Sequence, residues 1–368
     1  MTRQTDLLYL RSALGLAERG RFSSTPNPRV GCLIVKEGVV IGRGSHFWAG
    51  ENHAEINALQ EADLSAYGAT AYITLEPCSF HGRTPPCTDA LIKAGIKRVV
   101  IGMIDPHPDV SGKGIGKLRS AGIEVDLLEL PEVAELNAGY VSRITLGKPK
   151  VCLKVAISLD GRTAMASGES KWITGDDARL DVQELRASSC AIITGSGTIL
   201  HDDPRLTVRE DCFQIGGRIR QPLRVVLDSN LQVSGKHKVF ENPSEALIVH
   251  CGKAEEQVDA VEHQCVTDVG LTGGTDESQV DLISLLKMLG DRGCNNVLVE
   301  AGSQLLGAFI EGELWDELIL YIAPKILGND ARSLANLSVV SMADAINGNI
   351  IDHTSLGPDI RIRVERRV

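Results

Sequence analysis

Residues 75–87 read LEPCSFHGRTPPC, and residues 49–59 read AGENHAEINAL. The first stretch sets two cysteines around a loop rich in glycine and proline, at the end of the strand-like segment ATAYITLE. The second sets a glutamate two residues after a histidine, at the predicted start of an amphipathic helix. Histidine and cysteine side chains are common ligands of zinc. The two stretches therefore predict one metal site where a strand and a helix come together.

The proposed ligands are His53, Cys78 and Cys87. Three protein ligands are typical of a catalytic zinc, which keeps its fourth position for water. Bound zinc lowers the pKa of such a water to about 7. Glu55, near the start of the predicted helix, is placed to take a proton from the open position and return it to a departing amine.

Two alternatives remain open on the residues alone. A closed zinc site that only holds a loop needs a fourth ligand, for which His81, Cys32 and His46 are nearest in sequence. Two unrelated cysteines and a surface histidine are the other alternative. A solitary His-x-Glu favours that interpretation, but the joint pattern with two cysteines after a strand does not.

The chain alternates strand-like and helix-like segments up to about residue 145. VGCLIVKEGVVIGRG (30–44) predicts two short strands around a Glu-Gly turn, and the whole region predicts a layered α/β domain with a largely parallel sheet. Glycine and proline in LGKPK (146–150) interrupt the pattern. A second strand series then begins with VCLKVAISLDG, so we expect an α/β chain of two domains, 1–147 and 148–368.

Composition limits the classes of function. A net charge of −10 and an aromatic content of 4% argue against general nucleic-acid binding. No apolar run approaches the ~20 residues of a membrane span, and none near the amino terminus is typical of a signal peptide. Nine cysteines without an export signal favour the reducing cytoplasm. We interpret seven as small buried hydrophobes: Cys32, Cys152, Cys190, Cys212, Cys251, Cys265 and Cys294.

His-Ala-Glu, followed by Pro-Cys and a further cysteine, resembles the zinc-dependent nucleobase deaminases. Those enzymes space their cysteines as Cys-x-x-Cys, whereas eight residues intervene here. This longer insert resembles the deaminase half of the bifunctional deaminase–reductase family of riboflavin biosynthesis. TPNPRVG (25–31) and DPHPDVSGKG (105–114) follow the same family order. The resemblance implies a cytidine-deaminase-like three-layer α/β/α domain with one zinc per chain.

Three loop positions bear on the base of the substrate. Asn27, between two prolines, resembles the residue that holds the pyrimidine, and a turn asparagine is the alternative. Phe80 stands where a second histidine is common in the family, and His107 stands where asparagine is common. These departures concern substrate contacts and leave the predicted metal site unchanged.

The second domain gives weaker signals by itself. Gly302 and Gly307 follow the strand NVLVEAG and open a helix, which is a possible phosphate cradle. TGSGTIL (194–200) lacks the full dinucleotide-binding fingerprint. Glu300 ends an apolar strand, where ligands collect in open α/β sheets, and a surface charge is the alternative.

Five stretches resemble the reductase half of the same family: LKVAISLDGRTA, SGESKWITG, DDPRLTV, VEAG and YIAPKILG. The resemblance implies a dihydrofolate-reductase-like α/β fold and NADPH as cofactor. Implied cofactor contacts are Ala156, Trp172, Thr198, Asp202, Ser229, Gly302, Ser303, Gln304, Leu305, Leu306, Gly307 and Ala308. Implied substrate contacts are Ser170, Arg186, Leu206, Arg209 and Glu300. Arginines suit a sugar phosphate because guanidinium binds phosphate with two hydrogen bonds.

The resemblance covers nearly the whole chain and implies a cytoplasmic bifunctional enzyme that acts on a pyrimidine ribosyl phosphate. Zinc-dependent deamination would come first, and NADPH-dependent reduction of the ribosyl group to ribityl would follow. We expect a homo-oligomer, dimer or tetramer, with neither nucleic acid nor membrane as partner. The alternatives are a tRNA-type deaminase with an accessory domain, and a deaminase whose second domain is a non-catalytic sensor or scaffold.

Overall fold

The computed structural model describes residues 2–82, 84–241, 246–251, 262–265 and 279–367. The chain forms two compact units. The first comprises Met1–Gly147 together with Ile215–Arg218, and the second comprises Lys148–Gln214 together with Ile219–Val368. Within the described ranges, every helix is too short or too polar to cross a bilayer.

The first unit alternates helices and strands, beginning with a long amphipathic helix whose Leu10, Ala13 and Ala17 are buried. Thr2 caps that helix by accepting a hydrogen bond from the Thr5 N–H. Its elements are α1 (Arg3–Glu18), β1 (Gly31–Lys36), β2 (Val39–Ser45), α2 (Ala54–Ala62), β3 (Thr70–Ile73), α3 (Cys87–Lys93), β4 (Arg98–Ile101), α4 (Lys113–Ser120), β5 (Glu124–Leu127), α5 (Pro131–Leu136) and α6 (Ala138–Leu146).

Five strands form the sheet of the first unit in the order β2-β1-β3-β4-β5. β1 is antiparallel to both β2 and β3, whereas β3, β4 and β5 are parallel. The prediction of a largely parallel sheet is therefore confirmed for β3, β4 and β5 and wrong for the two pairings of β1. The Glu37-Gly38 turn returns the chain directly along β1, and a two-residue turn can join only antiparallel strands.

Both faces of this sheet are covered. Cys32 and Ile34 of β1 pack with residues of α2, α3 and α4 in one core cluster. Leu33 and Val35 point to the other face and pack with residues of α1 and α5. Successive side chains of a strand point to opposite faces, so two apolar faces require two helical layers. The predicted three-layer α/β/α fold is confirmed.

Two glycines allow helices to lie directly on the hairpin of β1 and β2. A Cβ atom on Gly44 would lie 1.8 Å from the carbonyl oxygen of Ala54, in the first turn of α2. A Cβ atom on Gly31 would lie 1.9 Å from the carbonyl oxygen of Ala13 in α1. Backbone-to-backbone packing of this kind fixes where α2 begins, and with it the positions of the residues at its amino-terminal end.

The second unit contains a longer strand series. Its elements are β6 (Lys150–Ser158), β7 (Arg162–Ala164), α7 (Asp176–Ser188), β8 (Ala191–Gly195), α8 (Ser196–Asp202), β9 (Leu223–Leu227), β10 (Ala246–His250), β11 (Glu262–Cys265), α9 (Leu282–Asp291), β12 (Asn296–Val299), α10 (Ser303–Glu311), β13 (Glu317–Ala323), β14 (Arg332–Ser333), β15 (Gly348–Leu356) and β16 (Asp359–Arg366).

Nine of these strands form one sheet in the order β11-β10-β9-β8-β12-β6-β13-β16-β15. Every pairing from β11 to β13 is parallel, and the carboxyl-terminal hairpin of β15 and β16 joins antiparallel to β13. The alternation of α and β segments predicted a second α/β domain, but neither its strand pairing nor the carboxyl-terminal hairpin was predicted. The largest core cluster lies between this sheet and the helices α9 and α10.

The scattered cysteines do not all behave as buried hydrophobes. Cys32, Cys190 and Cys294 are buried, and Cys152 and Cys251 are partly buried. Cys212 is exposed in a short 3-10 turn, so its interpretation as a core residue is wrong. The side chain of Cys265 lies outside the described residues.

We expect Gly44→Ala to destabilise the first unit by about 1–3 kcal/mol or more, because the new methyl group overlaps the main chain of α2. The shift of α2 should also weaken zinc binding, since the proposed ligand His53 immediately precedes this helix. Thermal unfolding and zinc titration measure the two effects. Gly15→Ala is the matched control: no atom lies within 4 Å of its added Cβ, and alanine in mid-helix is favourable by up to ~1 kcal/mol. Equal melting temperatures for the two variants would contradict this account.

Candidate active sites

Three side chains of the first unit converge on one point. The ligand atoms of His53, Cys78 and Cys87 all lie within 4.8 Å of one another. Nδ1 of His53 lies 3.7 Å from Sγ of Cys78 and 3.3 Å from Sγ of Cys87. No other group of three histidine, cysteine or acidic side chains within the described ranges comes together in this way. The structure therefore brings together the three ligands predicted from sequence.

The cluster fits a zinc ion. Tetrahedral zinc, with Zn–S near 2.3 Å and Zn–N near 2.0 Å, holds its ligand atoms roughly 3.5–3.8 Å apart. The measured separations of 3.7 and 3.3 Å are close to that spacing. Nδ1 faces the sulfurs, whereas Nε2 of His53 lies 3.4 Å from the hydroxyl of Thr84. The imidazole thus has one nitrogen for a metal and the other for an orienting hydrogen bond.

Local structure places both sulfurs at the amino terminus of α3. Cys87 is the first residue of this helix, and its N–H donates to Sγ of Cys78 at 3.3 Å. The N–H of Thr88 donates to the carbonyl oxygen of Cys78 at 3.2 Å. Two N–H groups that lack a partner inside the helix are satisfied in this way. The Gly/Pro-rich loop between the cysteines therefore closes onto the helix that carries the second one.

Electrostatics favours a cation at this point. The Cys87 thiol hydrogen-bonds to Cys78 and His53 lies beside it, and together they lower the pKa of Cys78 to about 4. The same hydrogen bond and the negative charge of Cys78 raise the pKa of Cys87. Two adjacent thiolates repel each other, and a divalent cation between them removes that penalty.

Glu55 lies in the first turn of α2 and is 3% exposed. Burial raises the pKa of its carboxyl group to about 7, and the neighbouring Cys78 charge adds to the shift. The carboxyl group also hydrogen-bonds with Cys87. A buried carboxyl group beside two of the proposed ligands is in position to accept a proton and to give it up again.

None of the three candidate fourth ligands joins the cluster. Cys32 is fully buried among apolar residues of the sheet, and His81 is exposed. Both nitrogens of His46 have partners: Nδ1 lies 3.0 Å from the Asn52 carbonyl oxygen, and Nε2 lies 3.0 Å from Nδ2 of Asn27. Three protein ligands and an open fourth position are typical of a catalytic zinc site.

Glu76, which sequence reasoning did not single out, connects two loops of this site. Its buried carboxylate accepts hydrogen bonds from the N–H groups of Gly112 at 2.9 Å, Ile115 at 3.1 Å and Asp105 at 3.4 Å. These donors surround the amino terminus of α4, where a negative charge is favourable. Glu76 lies two residues before Cys78, so it holds the segment 105–115 against the loop that carries a metal ligand.

The loop residues that depart from the family pattern lie at the surface. Phe80 is 47% exposed. The N–H of His107 donates to Asp105, and Nδ1 of His107 accepts from the N–H of Asp109 at 3.2 Å. His107 thus orders its own turn, and its Nε2 is the nitrogen left for a ligand. The intervening Arg83 lies outside the described residues.

Glu300 is the centre of a buried ionic cluster in the second unit. Arg186 donates two hydrogen bonds to its carboxylate, from Nε at 2.7 Å and from Nη2 at 3.0 Å. Nζ of Lys154 donates to the same carboxylate at 3.4 Å. Burial alone would raise the pKa of Glu300, but the charges of Arg186 and Lys154 hold it at about 2. The cluster carries two positive charges and one negative charge.

Lys154 was not predicted as a site residue. It lies in β6, with its side chain 18% exposed. A lysine inside the apolar run VCLKVAIS was the available signal, because a lysine is rarely buried without a charged partner. The partner is 146 positions away in sequence, so only the fold reveals the pair.

The remaining predicted substrate contacts differ in their accessibility. Ser170 donates to Oδ1 of Asp202 at 3.3 Å, and the side chain of Arg209 is exposed. Leu206 has a positive φ of 52° and is 4% exposed within a core cluster. A ligand could therefore meet the main chain of Leu206 but not its side chain.

The predicted cofactor residues spread over several elements. Asp202 ends α8, Ser229 follows β9, and Trp172 is 65% exposed with the Arg179 guanidinium 4.6 Å from its ring centroid. The other predicted cofactor residues lie at the start of α10, where the first N–H groups of the helix are free to bind an anion. Leu306 is fully buried in the main core, so this member of the predicted set supports the helix and does not face a ligand.

Two family models match the chain. The cytidine and deoxycytidylate deaminase zinc-binding region matches residues 3–103, and the RibD C-terminal domain matches residues 149–361. Curated relatives agree along the full length. The riboflavin biosynthesis protein RibD of Escherichia coli K12 is 46% identical, with 96% of this chain and 98% of the relative covered. The protein of the same name from Haemophilus influenzae is 44% identical, with 97% and 96% covered.

Solved structures give the same result. RibD of Acinetobacter baumannii (form 1) has a TM-score of 0.91 and 42% identity, with 99% of each chain covered. A diaminohydroxyphosphoribosylaminopyrimidine deaminase/5-amino-6-(5-phosphoribosylamino)uracil reductase from Thermotoga maritima has a TM-score of 0.87 and 34% identity, again with 99% of each covered.

We expect purified protein to contain about one zinc per chain, and Cys78→Ser to lose it, because a serine hydroxyl is a much weaker zinc ligand than a thiolate. Elemental analysis after gel filtration measures the metal content. Cys212→Ser is the matched control, since Cys212 is exposed and lies outside the cluster, and it should keep its zinc. A fourth protein ligand in the coordination shell, detected by X-ray absorption, would make the site structural and contradict the catalytic interpretation.

Proposed function

Because this chain belongs to the RibD family of riboflavin biosynthesis proteins, we propose that it converts a diaminopyrimidinone ribosylamino phosphate in two steps. The chain is a bifunctional enzyme with a deaminase domain and a reductase domain. The deaminase step would remove an amine from 2,5-diamino-6-(5-phosphoribosylamino)pyrimidin-4(3H)-one. The reductase step would then give 5-amino-6-(5-phosphoribitylamino)uracil. The name of the related Thermotoga maritima enzyme supports these substrates.

We assign the deaminase to residues 1–147 and the reductase to residues 148–368. The division of the chain at Gly147 into two compact units supports this boundary. One observation carries the deaminase assignment: three zinc-type ligand atoms lie within 4.8 Å of one another beside the buried carboxyl group of Glu55.

In the deaminase, His53, Cys78 and Cys87 would hold one zinc, which would supply an activated water for hydrolysis. Glu55 would act as general base and then general acid, taking up a proton at its carboxyl group and returning it to the departing amine. Its burial keeps bulk water from competing for the proton. Asn27 binds the pyrimidine ring.

In the reductase, a bound NADPH would supply the hydride for C1′ of the opened ribose. The cluster of Lys154, Arg186 and Glu300 lies at the carboxyl end of β12, where ligands bind in parallel sheets. Its net positive charge supports binding of the sugar phosphate, with Arg209 as a further cation. The cofactor contacts are Ala156, Trp172, Thr198, Asp202, Ser229 and the stretch from Gly302 to Ala308, in which Leu306 acts through the core.

A coupled assay tests the proposal against its alternatives. Purified protein, the diaminopyrimidinone phosphate and NADPH should give NADPH oxidation that a zinc chelator abolishes. A tRNA-type deaminase would act on a stem-loop RNA and leave the free nucleotide unchanged. A non-catalytic second domain would deaminate the substrate without oxidising NADPH.

We also propose that the enzyme works in the cytoplasm as a homo-oligomer, dimer or tetramer. Eight cysteines within the described ranges are free thiols, as in other proteins of a reducing compartment. Exposed apolar side chains of the carboxyl-terminal segment, called here the carboxyl-terminal apolar surface, support self-association. They are Leu337, Val339, Val340, Met342, Ile346, Ile350, Ile351 and Ile360.

This carboxyl-terminal apolar surface suits a second copy of the chain. Val340 is 92% exposed and Met342 is 91% exposed, and β15 is the edge strand of the nine-stranded sheet. Clusters of exposed apolar side chains on a monomer mark interfaces. An edge strand of one copy can pair with the same strand of another through a twofold axis. The apolar side chains that face the second copy would contribute to the ~800 Å² that each partner buries in a stable interface.

We expect Glu55→Gln and Glu300→Gln to separate the two activities. Glu55→Gln should keep zinc and lose deamination by about 10²–10⁴-fold, because an amide cannot carry the proton. It should still reduce supplied deaminated intermediate at the wild-type rate. Glu300→Gln should show the opposite pattern, since it removes the charge that holds Arg186 and Lys154. Release of ammonia and oxidation of NADPH report the two steps. Loss of both activities in either folded variant would contradict two separate sites.

We expect the double variant Val340→Asp/Met342→Asp to weaken self-association at least 100-fold, because each change places a charge in an apolar contact. Sedimentation equilibrium measures the change. Leu64→Asp is the matched control, because Leu64 is 91% exposed but lies in the first unit, and it should leave the assembly intact. An unchanged molecular mass for the double variant would contradict this surface as the interface.

A further inference from the structure

His46 lies next to the metal cluster in a fixed position. It follows β2, and its N–H donates to the carbonyl oxygen of Val30 at 3.0 Å. The residue is 2% exposed, and its ring meets the ring of His53 edge to face with 5.1 Å between centroids. The imidazole therefore has a defined orientation beside a zinc ligand.

The partners of His46 fix which nitrogen carries its proton. Nδ1 lies 3.0 Å from the carbonyl oxygen of Asn52, which can only accept, so Nδ1 must donate. Nε2 faces Nδ2 of Asn27, an amide nitrogen that can only donate, so this pair of contacts fits a ring that carries one proton, on Nδ1. In a neutral ring with the proton on Nδ1, Nε2 has only a lone pair. The group that faces Nε2 must therefore be a donor.

That group belongs to Asn27. Nδ2 of Asn27 lies 3.0 Å from Nε2 of His46. The main chain of Asn27 is also held, because its N–H donates to Ser24 and its carbonyl oxygen accepts from the Ser24 hydroxyl. Within the described ranges, the side-chain oxygen Oδ1 of Asn27 has no hydrogen-bond partner. The side chain of Asn27 is thus held with Nδ2 bonded to His46 and with Oδ1 available to accept a hydrogen bond from a ligand.

We propose that His46 is a positioning residue of the deaminase, which turns the Asn27 carboxamide so that Oδ1 is the acceptor offered to the substrate. The inference rests on the proposed function, in which Asn27 binds an aminopyrimidinone ring. An amide oxygen selects N–H donors of that ring, whereas the reversed amide would select ring carbonyl oxygens. The tautomer of His46 therefore determines whether Asn27 offers the pyrimidine a hydrogen-bond acceptor or a donor.

A double-mutant cycle tests whether His46 acts through Asn27. His46→Phe and Asn27→Ala should each lower kcat/KM for deamination by roughly 10- to 100-fold, mainly through KM, as for a lost or reversed buried hydrogen bond. The double variant should be no worse than Asn27→Ala alone, because the positioning residue then has nothing to position. Zinc content should stay at one per chain. Additive losses, or loss of zinc in His46→Phe, would overturn the proposal.

Two further measurements keep the proposal falsifiable if His46→Phe folds poorly. His46→Gln offers Asn27 an amide oxygen in place of Nε2, so it should recover most of the wild-type KM. The nitrogen-15 spectrum of zinc-loaded protein should show a neutral His46 ring with its proton on Nδ1. A proton on Nε2, or a His46→Gln variant as impaired as Asn27→Ala, would overturn the role. Inability of wild-type protein to deaminate the substrate would instead overturn the proposed function, and the tautomer measurement would still decide the orientation of Asn27.

Discussion

The mutual approach of two cysteine sulfurs and one imidazole nitrogen is the constraint on which the first unit depends. Their atoms lie within 4.8 Å of one another, although adjacent thiolates repel. Three separate elements meet that constraint: α2 begins directly after His53, α3 begins at Cys87, and the loop after β3 carries Cys78. Close packing of α2 on Gly44 fixes the first of these positions. A divalent cation bound there would offset the repulsion, so that folding and metal binding would support each other.

The sequence predicted element types well because apolar periodicity reports which residues face a core. Periodicity carries no information about which strands pair, so the mixed sheet of the first unit was missed even though its tight turn was visible at Glu37-Gly38. The carboxyl-terminal hairpin of β15 and β16 was missed for another reason. Most of β15 is exposed in the single chain, including Ile350 and Ile351, so its apolar residues do not follow the pattern of a half-buried strand.

The metal site could be predicted because zinc accepts few ligand types and all three lie within 35 residues of sequence. The contacts around it could not, because hydrogen-bond partners are determined by the fold. His46 appeared only as a possible ligand, and its tautomer follows from a carbonyl oxygen that no motif marks. Lys154 was missed because its partner Glu300 lies 146 positions away. Leu306 belongs to a matched stretch, but helical periodicity turns its side chain into the core.

The two proposed sites use opposite charge arrangements for different ligands. In the first unit, two cysteines and a buried carboxyl group concentrate negative charge, which a metal dication compensates and an anionic substrate would not. In the second, Arg186 and Lys154 together outweigh Glu300 by one positive charge, and Glu300 orients both cations through hydrogen bonds of 2.7–3.4 Å. A phosphate bound at this proposed site would not require the cations to rearrange, because their geometry is already fixed. Glu300 therefore lowers the net attraction for an anion but keeps two buried cations in place, and removing it would leave them repelling each other.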